Sequence, residues 1–135
     1  MTDEPAAVLD THALIHHTSG GKHLGRRAAR HFEACEARAA IAYVPVAVIW
    51  EFSLLVRGTR INLEGSVADF FETLFSNPAY QPVDMTAEHV FLAEEVRPNN
   101  DPFDSLICAA ALSLDLPLIT RDRDIEESRI VRTLW

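Results

Sequence analysis

Carboxylic acids stand at two points where a predicted strand ends. Asp10 follows the apolar run Ala6-Ala7-Val8-Leu9, and Asp122 follows the run at residues 116–120. In α/β proteins with a parallel sheet, ligands bind at the carboxyl ends of the strands. Carboxylate oxygens are also the ligands that hard divalent cations such as Mg²⁺ prefer. The two positions therefore indicate a site at one edge of the sheet.

Glu51 is a third acid in an unusual place. It lies on a predicted helix that is apolar on nearly every side from Val46 to Val56. A helix of this composition is expected to be buried. A buried carboxylate is costly unless it is paired, hydrogen-bonded or bound to a metal. Two interpretations stay open: a buried salt bridge to an arginine, or a metal ligand.

Each remaining acid also has a purely structural explanation. Asp10 could cap the helix that follows it, and Asp122 could belong to a turn. Asp101 fits the N-cap of a helix with Pro102 in its first position, and Asp104 fits the third position near the positive end of that helix. However, an α/β fold brings strand ends and helix starts to one edge, which favours a shared site over separate local roles.

The elements that must position these acids alternate along the chain. Strands are predicted at residues 6–9, 41–44, 80–83, 116–120 and 130–134. Helices are predicted at residues 11–17, 25–38, 45–57, 64–75, 86–96 and 101–114, with Pro45 in a first helical turn and a turn at residues 121–124. This alternation predicts the α/β class, as a three-layer α/β/α sandwich around a mainly parallel sheet. Residues 1–135 contain no repeat or linker, so we expect a single domain.

Size and cysteine content limit the setting of the chain. Its 135 residues, 48% of them hydrophobic, are enough for a core. Asp3 and Glu4 stand where a signal peptide would be basic, so none is expected. The longest apolar run, residues 39–50, contains a proline and is too short to span a bilayer. Cys35 and Cys108 are isolated, which indicates a reduced cytoplasmic compartment.

The order and surroundings of the acids resemble the PIN-domain family, and within it the VapC-type toxins of toxin–antitoxin pairs. The resemblance rests on the segments VLDTHALI at 8–15, VIWEF at 48–52, DPFDSLICAAAL at 101–112 and LPLITRD at 116–122. It extends to the closing Leu134-Trp135. One departure is Ser105, where these toxins frequently carry an arginine. A salt bridge or substrate contact made by such an arginine is therefore not expected here, whereas the expected metal site is unaffected.

The resemblance implies a metal-dependent endoribonuclease. Its catalytic and metal-binding residues would be Asp10, Glu51, Asp104 and Asp122, with hydroxyls of Thr11 and Thr120 that orient carboxylates or water. One or two Mg²⁺ or Mn²⁺ ions would activate the attacking water and stabilise the leaving oxygen. The resemblance also implies a homodimer inhibited by an antitoxin protein. Two alternatives stay open: a PIN nuclease that processes RNA without an antitoxin, and a catalytically silent binding module.

The net charge of −8 is unexpected for a protein that handles RNA. Either the acids are gathered in a pocket and neutralised by divalent cations, or the usual partner is a basic protein. Basic residues cluster at Lys22, Arg26, Arg27 and Arg30, at Arg57 and Arg60, and at Arg121 and Arg123. Arg121 adjoins Asp122 and is the best candidate for contact with an RNA phosphate.

Other chemistries have weaker support. His12 and His16 could face one zinc ion from a helix, but no third ligand stands at a familiar spacing. His12 is expected beside the pocket. The histidines expected at the surface are His16, His17, His23 and His31. The aromatic residues expected in the core or a dimer interface are Phe70, Phe71 and Phe75.

Overall fold

The computed structural model describes residues 5–135. Asp3 and Glu4, on which the expectation of no signal peptide rests, lie outside the described residues. The strands are β1 (Ala6–Leu9), β2 (Ile41–Pro45), β3 (Tyr80–Val83), β4 (Leu118–Ile119) and β5 (Thr133–Leu134). The helices are α1 (Thr11–Thr18), α2 (Arg26–Glu36), α3 (Val46–Arg57), α4 (Val67–Phe75), α5 (Ala87–Val96), α6 (Pro102–Leu114) and α7 (Arg123–Ser128).

The strands form one sheet in the order β3-β2-β1-β4-β5, and every neighbouring pair is parallel. The helices flank this sheet and complete a three-layer α/β/α sandwich. The predicted fold class is therefore confirmed. Because all strands run in one direction, their carboxyl ends share one edge, and β1 lies at the centre of that edge.

Burial on both faces of the sheet explains why the sequences of the central strands are continuous apolar runs. Ala7, Val8 and Leu9 of β1 are completely buried. Strands covered by helices on both faces have no solvent side, so they lack the alternation of half-exposed strands. Phe32 of α2 and Phe52 of α3 are among the largest fully buried side chains. Phe71 is also buried, whereas Phe70 and Phe75 are half-buried against the core.

Two predicted boundaries were wrong. Pro45 is the last residue of β2, where it pairs with Val83, and it precedes α3 instead of lying in its first turn. The fourth helix begins at Val67 and not at residue 64. The Ser66 side chain accepts a hydrogen bond from the Asp69 N–H at 3.0 Å and acts as the N-cap.

The end of the chain also differs from its prediction. Residues 121–124 do not form a simple turn, because Asp122 caps the short helix α7. The strands predicted at 116–120 and 130–134 are two residues each, and only Leu118 with Thr133 and Ile119 with Leu134 pair across them. The other predicted elements agree within a residue or two.

His31 is not at the surface as predicted. It is 9% exposed, and its Nε2 donates to the carbonyl oxygen of Ile41 at 2.9 Å. Burial lowers the pKa of His31. Helix α2 thus turns this imidazole inward, onto Ile41, the first residue of β2.

Cys35 and Cys108 are buried free thiols. None of the helices within residues 5–135 is long and apolar enough to cross a membrane.

Candidate functional site

The register of β1 and β4 brings two predicted site segments together. Leu9 pairs with Ile119, and the Asp10 N–H donates to the Ile119 carbonyl oxygen at 3.2 Å. Asp10 and Thr120 therefore leave adjacent strands side by side. Thr120 is 2% exposed, so its hydroxyl lies inside the protein beneath this edge.

Asp10 is both a helix cap and a buried acid. Its Oδ1 accepts a hydrogen bond from the Ala13 N–H at 2.7 Å at the start of α1. Burial raises the pKa of Asp10 to about 6, although the Thr120 hydroxyl, the Ala13 N–H and His12 oppose this. The charge of Glu51 raises it further. The capping interpretation is thus correct and leaves room for a second role.

Glu51 of α3 is held in place by a hydrogen bond from α1. Its Oε1 accepts a hydrogen bond from the hydroxyl of Thr11, which is 1% exposed. The prediction that α3 is buried all round was wrong, because Trp50 is 51% exposed and Glu51 is half-buried. Within residues 5–135 no ion pair joins Glu51 to an arginine. The salt-bridge interpretation therefore has no support in this structure.

Asp101 and Asp104 share one helix start but differ in their contacts. Asp101 Oδ1 accepts from the N–H groups of Phe103 and Asp104 at 2.8 and 3.4 Å and is the N-cap of α6. Asp104 Oδ2 accepts instead from Nδ2 of Asn99 at 2.8 Å. Burial raises the pKa of Asp104 to about 6, and the charges of Asp101, Asp122 and Glu51 add to the effect.

Asp122 follows β4 and lies near Asp104, whose pKa its charge helps to raise. It caps α7 by accepting from the Ile125 N–H at 3.0 Å, and its own N–H donates to the Thr120 hydroxyl at 3.1 Å. The thiol of Cys108 lies one turn along α6 from Asp104 and is close enough to three aspartates for their charges to affect its pKa. Burial raises the pKa of Cys108 to about 12, with contributions from Asp104, Asp10 and Asp122. Asp104, Asp10 and Asp122 therefore all act on one buried group between them, and Asp122 also acts directly on Asp104.

An open cleft of about 570 Å³ lies over part of this cluster. Its lining residues are Pro98, Asn99, Asn100, Asp101, Asp104, Asp122 and Asp124. Sequence reasoning missed Asn99 and Asp124. The Asn99-Asn100 pair before a predicted helix start was the available signal for a polar loop that turns back onto the helix.

The amino-acid sequence matches the PIN domain over residues 7–130. The chain belongs to the PIN-domain family. Members of this family are nucleases, so membership supports a nuclease. No curated protein sequence matches the chain.

Solved structures share the PIN-domain fold of this chain. A toxin–antitoxin complex from Klebsiella pneumoniae matches with 20% identity, a TM-score of 0.62, and coverage of 93% of this chain and 94% of the other. VapBC2 from Rickettsia felis, bound to a promoter DNA fragment, matches with 14% identity and a TM-score of 0.70, and the match covers 95% of this chain and 96% of the other. DNA-bound VapBC from Salmonella typhimurium matches with 16% identity and a TM-score of 0.66, and the match covers 97% of each chain. At these identities the likeness establishes the fold.

The donor chemistry of this PIN domain suits a hard divalent cation. Asp10 and Asp104 are carboxylates with raised pKa values, and within residues 5–135 neither has a lysine or arginine in ion-pair contact. Among the same residues, no three histidine, cysteine or acidic side chains stand close enough to form a ready-made metal cage. Mg²⁺ usually combines one or two carboxylates with several waters, so such a cage is not required.

Proposed function

We propose that this PIN domain, residues 1–135, is a metal-dependent endoribonuclease that hydrolyses RNA phosphodiester bonds. One observation carries the proposal. On a PIN-domain fold, acids from separate elements lie near enough to act on one another: burial raises the pKa values of Asp10 and Asp104, the charge of Glu51 raises both further, and that of Asp122 adds to the effect on Asp104. The proposed catalytic and metal-binding residues are Asp10, Glu51, Asp104 and Asp122.

The proposed cofactor is Mg²⁺ or Mn²⁺. The four acids would hold it with oxygen ligands, and Asp104 and Asp122 face the cleft from which it would enter. When bound, the ion supplies charge for the scissile phosphate and lowers the pKa of a water molecule. It would also offset the cost of burying the Asp10 and Asp104 carboxylates and their repulsion by neighbouring acids, which together raise their pKa values.

The other residues of the site keep the acids in place. The Thr11 hydroxyl restrains the Glu51 carboxylate, and the Thr120 hydroxyl lies between Asp10 and the main chain of Asp122. Because both threonines are buried, their hydroxyls cannot turn to solvent and the carboxylate positions are preorganised. Arg121 is exposed beside Asp122 and is proposed to contact an RNA phosphate.

The setting that we propose is a toxin–antitoxin pair. The solved structures with this fold include chains described as toxin–antitoxin complexes, and the negative charge of −8 suits a basic partner segment. An arginine or lysine of a cognate antitoxin would then pair with the acids in place of the metal. We further propose that the protein acts in the cytoplasm as a homodimer.

Cleavage of defined RNA tests the enzymatic proposal. Purified protein should cut single-stranded RNA in Mg²⁺ or Mn²⁺ and stop when EDTA is added. Asp10→Asn keeps the oxygen that caps α1 but removes the charge, so it should abolish cleavage. Asp84→Asn changes an exposed acid outside the site and is the matched control. Folded, metal-loaded protein that leaves every RNA intact would favour the silent binding module.

Expression in cells tests the toxin proposal separately. The chain expressed alone should arrest growth, and co-expression with its cognate antitoxin should restore growth and give a stable complex. Asp10→Asn should be harmless on its own. If the active chain does not slow growth while the purified protein cuts RNA, the alternative of RNA processing without an antitoxin is correct.

A further inference from the structure

Trp135 stands beside the acidic edge although it lies far from Asp10 in the sequence. Leu134 pairs with Ile119, and the Thr120 N–H donates to the Leu134 carbonyl oxygen at 3.2 Å. Trp135 therefore leaves β5 level with Thr120, which immediately precedes Arg121. An aromatic side chain thus lies at the same edge of the sheet as the proposed catalytic acids.

The main chain of Trp135 is fixed by the start of α2. Its carbonyl oxygen accepts from the Ala28 N–H at 2.7 Å, which satisfies a donor in the first turn of that helix. The N-cap residue Gly25 offers no side chain, and a Cβ there would lie only 2.3 Å from the Trp135 oxygen. The Trp135 indole is consequently carried by a well-anchored backbone.

Arg121 and His16 lie next to this indole, and His23 lies next to His16. The guanidinium carbon of Arg121 lies 5.9 Å from the centre of the Trp135 ring. The ring of His16 lies 6.1 Å from Trp135, and the ring of His23 lies 5.6 Å from His16. We name these four residues, His16, His23, Arg121 and Trp135, the Trp135 patch. Arg121 and His23 are exposed, and the other two are half-buried.

Arg121 gives the Trp135 patch a permanent positive charge in a chain whose net charge is −8. The pKa of His16 is lowered by burial and then by the nearby charges of Arg121, His23 and His12. His12 in turn acts on Asp10.

The chemistry of the patch suits a nucleotide with an unpaired base. Aromatic rings and the planar guanidinium of arginine stack on the faces of unpaired bases, and arginine binds phosphate oxygens. Resting on the proposed nuclease function, we infer that the Trp135 patch binds one nucleotide of single-stranded RNA next to the bond that is cut. Arg121 contacts its phosphate and Trp135 contacts its base.

The chain contains a matched control. Its other tryptophan, Trp50, also has an arginine over its ring, with the Arg57 guanidinium carbon 5.5 Å from the ring centre. Trp50 is exposed on α3, and among residues 5–135 no histidine ring packs against it. The two Trp–Arg pairs differ in their surroundings and not in their own chemistry.

Tryptophan fluorescence in an Asp104→Asn background, in which RNA should stay intact, tests this inference. Trp50→Phe leaves Trp135 as the sole tryptophan, and Trp135→Phe leaves Trp50. A short single-stranded RNA should quench the fluorescence of Trp135 saturably and leave that of Trp50 unchanged.

Fluorescence anisotropy of labelled RNA tests the role of Arg121. Arg121→Gln should weaken binding and reduce the slope of log affinity against log salt by about 0.7. Arg57→Gln should change neither, and duplex RNA should bind more weakly.

The outcomes separate the subsite from the enzyme. If RNA binds but Trp135 fluorescence does not change, or if Arg57→Gln weakens binding as much as Arg121→Gln, the subsite is wrong while the nuclease proposal stands. If the parent protein neither binds nor cuts RNA, the proposed function fails and the subsite fails with it.

Discussion

The Thr11 hydroxyl donates a hydrogen bond to Oε1 of Glu51 and thereby joins the start of α1 to the second turn of α3. The two helices follow β1 and β2, which are neighbours in the sheet. A carboxylate has two oxygens, so the contact orients Glu51 and leaves Oε2 available for another ligand. Glu51 is thus positioned by a residue adjacent to Asp10.

Thr11→Val should impair cleavage without unfolding the protein. Valine has nearly the same shape as threonine but cannot orient Glu51, and loss of such a supporting contact typically costs about 10–100-fold in activity or metal affinity. The fall should appear in kcat more than in KM, and Thr11→Ser should restore most of it. If the valine and serine variants have equal rates, this hydrogen bond does not position the site.

The raised pKa values predict an unusual pH dependence of stability. Asp10 and Asp104 titrate at about 6 in the folded protein, against an ordinary value of 3.8. Between these values the folded state binds more protons than the unfolded chain, so these groups make the free energy of unfolding fall as pH rises. Metal-free protein should therefore lose stability through this window as these carboxyls ionise.

Thermal melting without metal checks this sign. Asp10→Asn should reduce the loss of stability between about pH 4 and pH 6, because one of the two responsible carboxyls is gone. Asp84→Asn should behave like the parent protein. A loss of stability that is the same in both variants would show that Asp10 does not titrate in this window.

Asp101 and Asp104 can be separated by two asparagine substitutions. Asparagine caps helices about as well as aspartate, so Asp101→Asn should keep both the α6 cap and cleavage. Asp104→Asn should abolish cleavage and leave the metal-free protein as stable or more so, because a charge repelled by Asp122 and Glu51 is removed. Equal inactivity of both variants would make Asp101 a fifth functional acid, and normal cleavage by Asp104→Asn would remove α6 from the proposed mechanism.

Gly25→Ala should strongly destabilise the fold. A Cβ at Gly25 would overlap main-chain atoms of Trp135, with 2.3 Å to its oxygen, and overpacking of this kind costs about 1–3 kcal/mol. Gly58→Ala is the control, because its Cβ would meet only the Leu54 and Leu55 oxygens at 3.4 and 3.9 Å. Denaturant midpoints should fall for the first variant and stay level for the second. Equal midpoints would contradict the close contact between α2 and Trp135.

Local signals in the sequence predicted most of the fold. The apolar run of β1 ends at a polar residue, and its bounds were correct. The helix predicted at residues 86–96 is also marked locally, because the Thr86 side chain accepts from the His89 N–H at 3.1 Å and caps α5. Such features depend on residues three or four positions apart, which the sequence displays directly.

Contacts between distant segments could not be predicted in this way. Asp122 in an Arg-Asp-Arg-Asp sequence suits a turn as well as a short helix, and packing of Ile125 into the core decides for α7. The capping of α2 by Trp135 joins residues from opposite ends of the chain. The proximity of the acids was predicted from the topology of α/β sheets, whereas the Asn99 contact with Asp104 depends on a loop conformation.

Binding of Mn²⁺ to the folded protein tests the central claim that the four acids form one cation site. Metal that binds only the folded state stabilises it, by about 2.7 kcal/mol when its concentration is a hundred times Kd. The melting temperature of the parent protein should rise with Mn²⁺, and Asp10→Asn should remove most of that rise while Asp84→Asn preserves it. A melting temperature that stays constant up to millimolar Mn²⁺ in correctly folded parent protein would contradict the account.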